Sequence, residues 1–137
     1  MVRIKLDTDS LRFVGLFESV TGARVKDCIV GNNKIIFVVE EGQAGLAIGR
    51  RGSNIVALQN KLNKKVEVIE FSQDPVKFAS NIFHPAKLGR SYVSTDSSGN
   101  SILHLSPESD KGLVKSKFKY ATQLIKRYHN ITIVRLT

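Results

Sequence analysis

The sequence predicts an α+β fold of two small units in tandem, residues 1–72 and 73–137. Each runs helix, strand, strand, helix, helix, strand, with a three-stranded sheet carrying its helices on one face. Three observations support this. Apolar residues switch between the i, i+3, i+4, i+7 spacing of helices and short β-rich runs. The order of those segments in the first half recurs in the second. Finally, 137 residues with 42% hydrophobic and 24% charged side chains fit one ordinary domain or two very small ones, which excludes a multidomain enzyme and wholesale disorder.

The first helix spans Asp7 to Gly22, with Phe13, Leu16, Phe17 and Val20 on one face, Asp7 or Thr8 as cap and Gly22 as the stop. Two strands follow, Arg24–Val30 and Lys34–Glu40, joined by Gly31-Asn32-Asn33, types that tolerate the left-handed conformations of tight turns. A glycine-punctuated stretch from Glu41 to Gly52 leads to a helix over Ser53–Asn63, whose face is Ile55, Leu58 and Leu62, and Lys65–Phe71 closes the unit as a strand.

The second unit opens at Asp74-Pro75, an N-cap and first-turn pair, with Ala79, Ile82 and Phe83 as its apolar stripe and His84-Pro85 as its end. Strands near Arg90–Ser94 and Ser101–Leu105 flank a loop, Thr95 to Asn100, made of turn formers. Pro107–Val114 leads into a helix carrying Ala121, Leu124, Ile125 and Tyr128, before the alternating strand Ile131–Leu136. The joint at Ser72-Gln73 lacks flexible-linker composition, so the two units are expected to pack as a rigid pair.

Net charge narrows the partners. The chain carries +9, divided as +3 over residues 1–72 and +6 over residues 73–137, which favours polyanions such as nucleic acid. A lone cysteine, Cys28, forms no internal disulfide and indicates a reducing, cytoplasmic setting; it is read as buried and inert. His84, His104 and His129 are scattered without ligand spacing, so no metal or cofactor is expected. The absence of a signal peptide and of any bilayer-length apolar run leaves no membrane partner.

The chemistry lies in Leu46-Ala47-Ile48-Gly49-Arg50-Arg51-Gly52-Ser53-Asn54-Ile55, a G-x-x-G loop with two arginines at its tip, entering a helix. Glycines let backbone approach a sugar-phosphate chain, the helix start offers N–H groups and a positive dipole end, and Arg50 and Arg51 supply guanidinium forks. Ala47, Ile48 and Ile55 are candidates for an apolar floor under unpaired bases. G-x-x-G alone is common in turns; the helix context, the preceding Ile48 and the twin arginines give it meaning here. A nucleotide-binding P-loop is excluded, because its G-x-x-x-x-G-K-[ST] pattern has no match.

These residues resemble the K-homology (KH) family, whose I-G-x-x-G loop between two helices clamps single-stranded nucleic acid. The element order is similar to the type II form of that fold. The wording A-I-G-R-R-G-S-N-I, followed directly by a second KH-like unit, resembles the NusA family in its short archaeal form. The strong part of the match is residues 44–69; residues 73–137 match mainly in element order. The resemblance implies a non-catalytic factor that binds single-stranded RNA during transcription elongation and termination, with RNA polymerase as a candidate second partner. Longer bacterial members add a polymerase-binding domain and an S1 domain, and neither fits in this length. The expected RNA-binding positions are Ala47, Ile48, Gly49, Arg50, Arg51, Gly52, Ser53, Asn54 and Ile55.

The second unit departs from the motif. Val114-Lys115-Ser116-Lys117-Phe118 falls opposite Ile48-Gly49-Arg50-Arg51-Gly52, with no glycine at either hallmark position. Lys115, Lys117 and Lys119 therefore read as an auxiliary electrostatic surface, or equally as a solvated helix face. Tyr92, Tyr120 and Tyr128 could stack bases, although Tyr128 lies on an apolar helix face and reads as core. The competing functional reading is a protein-interaction or assembly module whose KH folds contact polymerase or ribosomal components; on either reading the chain is expected to be a monomer. No motif joins a nucleophile, a base and an orienting group, so the chain does not read as an enzyme.

Overall fold

A computed structural model describes residues 3–4 and 8–137, with side chains from Ser10 onward. The chain divides into two compact units, Met1–Phe71 and Ser72–Thr137.

In the first unit, helix α1 (Thr8–Thr21) is followed by β2 (Val25–Val30), β3 (Lys34–Val39), the short helix α2 (Ala44–Ile48), helix α3 (Ser53–Leu62) and β4 (Lys65–Glu70). The three expected strands are joined by β1 (Arg3–Ile4), so the sheet runs β1-β2-β3-β4. The hairpin β2–β3 is antiparallel, whereas β3 and β4 are parallel, as a helical crossover between them requires. Phe17 of α1 is wholly buried, and its ring stacks on Phe37 of β3 with centroids 4.2 Å apart. Cys28, Ile35, Val39, Ala47 and Leu58 complete that core, which explains the helical spacing read from the sequence. Gly22 ends α1 with φ 76° and donates to Glu18 O, while the expected caps, Asp7 and the Thr8 side chain, lie outside the described residues. The Gly31-Asn32-Asn33 turn does not use the left-handed conformations expected of it: it closes through Gly31 N–H donating to Lys34 O at 2.8 Å with no positive φ.

The second unit comprises α4 (Pro75–Phe83), β5 (Tyr92–Thr95), β6 (Ser101–Leu105), α5 (Lys111–Tyr128) and β7 (Ile133–Leu136), with the sheet ordered β5-β6-β7. Asp74 caps α4 by accepting from Val76 N–H at 3.0 Å, with Pro75 following as the first-turn residue. Phe78, Ala79, Ile82 and Phe83 of α4 pack in a core shared with Leu103, Leu105, Leu124 and Ile125, all of them wholly buried. The expected helix pair of this unit is a correction: α5 is one continuous helix of 18 residues. Leu113 through Lys119 contains no glycine to break it, and Asp110, accepting from Leu113 N–H at 3.1 Å, starts it cleanly. No helix among the described residues is long and apolar enough to cross a membrane.

Candidate nucleic-acid interface

The G-x-x-G loop is held from both sides. Glu70 at the end of β4 accepts from Ala44 N–H at 3.0 Å and so caps the start of α2. Arg24 N–H donates to Gln43 Oε1 at 2.6 Å, tying the preceding residue to the start of β2. At the far end of α2, Asn54 Nδ2 donates to Leu46 O at 3.1 Å, so the first turn of α3 satisfies a carbonyl left open by α2. The loop between these anchors is a single 3₁₀ turn, Arg50–Gly52.

Its backbone needs glycine for two different reasons. Gly49 has φ 78° and ψ 174°, a region essentially restricted to glycine, and a Cβ there would lie 2.8 Å from Asn54 Nδ2 and 2.9 Å from Ser53 Oγ. Gly52 has φ 74° and ψ 17°, ordinary left-handed backbone, with nothing within 4 Å of a Cβ. Between them Arg51 also takes a left-handed conformation, φ 53° and ψ 31°, uncommon for a residue with a Cβ. Arg50 and Arg51 are both exposed, and no ion pair among the described residues engages either. No side chain among the described residues caps the start of α3, so the positive end of its dipole faces the loop unopposed.

The expected apolar floor is partly corrected. Ala47 is wholly buried in the core and offers no surface to a base. Ile48 remains 40% exposed, and Ile55 is half-buried against the core. Two further apolar side chains on the helices that flank the loop, Leu46 of α2 and Val56 of α3, are more than half exposed. Val56 had a sequence signal, since it is apolar yet out of phase with the Ile55, Leu58, Leu62 stripe. Ser53 is exposed, while the Asn54 amide is committed to Leu46 O.

In the second unit, Lys115 and Lys119 lie exposed on α5, but Lys117 is a correction. It is buried, and its Nζ donates to Ile82 O at 3.1 Å and His84 O at 3.0 Å, at the C-terminal end of α4. That ammonium serves the helix end and does not face an external phosphate. Tyr120 is buried and Tyr128 half-buried, leaving Tyr92 as the only exposed ring among the described Phe and Tyr residues. Cys28 is buried, and no cluster of His, Cys, Asp or Glu that could hold a metal occurs among the described residues.

The KH domain model matches residues 14–84, just over half of the chain, including the whole loop. The chain is 30% identical over 140 residues to a probable transcription termination protein NusA of Methanocaldococcus jannaschii, covering 99% of this chain and 76% of that protein. It is 28% identical over 138 residues to the protein of the same name from Halobacterium salinarum, covering 98% and 99%. The crystal structure of APE1850 superposes with a TM-score of 0.74 at 32% identity, covering 96% of this chain and all of that one.

Proposed function

Because the chain belongs to the archaeal NusA-like family of KH-domain proteins, RNA-binding transcription factors, we propose that it binds single-stranded RNA through the Gly49–Gly52 loop and acts without catalysis in transcription elongation or termination. The observation that carries this reading is the loop itself. It is braced by Glu70 and Asn54, tipped by two exposed guanidinium groups and flanked by helices that carry exposed Ile48, Leu46 and Val56. Guanidinium forks suit phosphate oxygens, and exposed aliphatic surface suits the faces of splayed bases, which duplex RNA does not present.

The test is the double substitution Arg50→Asp with Arg51→Asp. Both side chains are exposed, so thermal stability is expected to stay within about 0.5 kcal/mol per site. Affinity for an unstructured oligoribonucleotide, followed by fluorescence anisotropy, is expected to be lost. A folded double variant that binds RNA as wild type does would remove the loop from the interface.

A further inference from the structure

The second unit has no glycine loop, yet its sheet carries a different set of groups suited to RNA. Along β6, Leu103 and Leu105 are wholly buried, so the intervening His104 projects from the opposite face of the sheet. His104 is paired with Tyr92 on β5 and with Arg135 on β7, so one row of side chains crosses all three strands. The Tyr92 and His104 rings stack, with centroids 4.5 Å apart and planes 16° from parallel. Ser94 Oγ lies 2.7 Å from His104 Nε2 and fixes the imidazole. The Arg90 guanidinium sits 5.7 Å from the centre of the Tyr92 ring. Tyr92 nevertheless keeps 46% of its surface exposed, and Arg90 and Arg135 are exposed too.

We propose that this row is a second contact for single-stranded RNA, in which Tyr92, oriented by His104, stacks on a base while Arg90 and Arg135 hold the adjoining phosphates. The inference rests on the RNA-binding reading above but not on the glycine loop. Its occupant follows from charge and shape. Residues 73–137 carry +6, and the two stacked rings of the row have Arg90 on one side and Arg135 on the other, the combination of aromatic and cationic groups by which sequence-tolerant binders hold a single strand. The acidic group near Arg135 is Asp96, whose carboxylate is already occupied. Its Oδ1 accepts from Ser98 and Asn100 N–H at 2.9 and 2.8 Å, and its Oδ2 accepts from Asn100 Nδ2 at 3.2 Å. Backbone donation by Asn100 is the main reason its pKa is lowered, with Arg135 contributing least, and no ion pair among the described residues joins Asp96 to Arg135. The second unit would thus read more than charge, unlike the purely electrostatic role expected for Lys115, Lys117 and Lys119.

The experiment titrates the full chain with an unstructured mixed-sequence oligoribonucleotide over a series of salt concentrations. It compares wild type, Tyr92→Ala, Tyr92→Phe, Arg90→Ala with Arg135→Ala, and the Arg50→Asp with Arg51→Asp variant. Tyr92→Ala is expected to weaken binding about 5- to 150-fold, the equivalent of the ~1–3 kcal/mol of one base–aromatic stack, without changing the salt slope. Tyr92→Phe keeps the ring and is expected to bind like wild type. The arginine pair is expected to lower the slope by about 0.7 for each phosphate that is no longer neutralised. A uridine photocrosslink mapped to the Tyr92 peptide would support the contact directly. If the loop variant abolishes binding while Tyr92→Ala binds as wild type does, the sheet contact is overturned and the loop stands. If the loop variant retains binding that Tyr92→Ala reduces, the sheet contact stands and the loop falls. A wild-type chain with no affinity for RNA overturns both.

Discussion

Gly49 and Gly52 share a positive φ but fail differently when given a side chain. At Gly52 an alanine adopts left-handed backbone in open space, a cost of about 1–2 kcal/mol. At Gly49 the backbone lies where essentially only glycine goes, and the new methyl meets the Asn54 amide at 2.8 Å. That strain, of order 1–3 kcal/mol, comes on top of pressure on the Asn54 bond to Leu46 O that joins α2 to α3. Urea denaturation is therefore expected to show Gly49→Ala as the more destabilised of the two, with Asn54→Ala partly reproducing its effect. Equal midpoints for the two glycine variants would remove the steric argument. The residue types of the loop are legible in the sequence. The bracing by Asn54 and Glu70 is not, because it joins positions 8 and 26 residues apart along the chain.

Among the elements, α5 shows why matching order between repeats is a weaker guide than local chemistry. A helix pair is expected there because the first unit has one, yet the break in the first unit depends on Gly49 and Gly52, and the second has Lys115 and Phe118 at those positions. With the break gone, the phase of the long helix places Lys117 on the same face as Val114, Ala121 and Leu124, a signal present in the spacing. Strand β1 is two residues long and gives no such signal, whereas β6 and α3 are visible as apolar runs of the right period.

Burial of Lys117 separates it from its neighbours. Lys117→Ala leaves Ile82 O and His84 O without their donor and is expected to cost about 1–3 kcal/mol in urea denaturation, whereas Lys115→Ala and Lys119→Ala should stay within about 0.5 kcal/mol. Loss of stability from Lys115→Ala equal to that from Lys117→Ala would contradict the burial. The C-cap of the same helix, His129, has a pH signature. Its Nε2–H donates to Ser72 O at 3.0 Å and its ring packs beside Phe78. Burial lowers its pKa below the usual 6.5, only partly opposed by the Ser72 bond and by Asp74. The unfolded chain therefore binds this proton more readily, so the contribution of His129 to stability is full above about pH 6.5 and declines as pH falls through the lowered folded value. Replacing His129 with Gln, which retains an N–H donor, is expected to flatten that part of the stability profile. Matching wild-type and H129Q profiles across the mildly acidic range would show that His129 is not its source.

At the scale of the whole molecule, charge and shape make separable predictions. A net charge of +9 attracts any nucleic acid, duplex included, and attraction of that kind weakens as salt rises. In the proposed binding mode, exposed Ile48, Leu46 and Val56 on the helices flanking the loop and exposed Tyr92 on the second sheet would add contacts that only unpaired bases can accept, and these do not depend on released counterions. A duplex also condenses more counterions per contact than a single strand, with slopes near 0.9 and 0.7 per phosphate respectively. The two affinities are therefore expected to be closest at low salt and to diverge as salt increases, with single-stranded RNA retained longest. Titrations of single-stranded and duplex RNA of equal length, run in parallel from low to physiological salt, measure that divergence. Curves that fall together with one slope would mean that the chain holds RNA by charge alone, and the apolar and aromatic groups would then need another explanation.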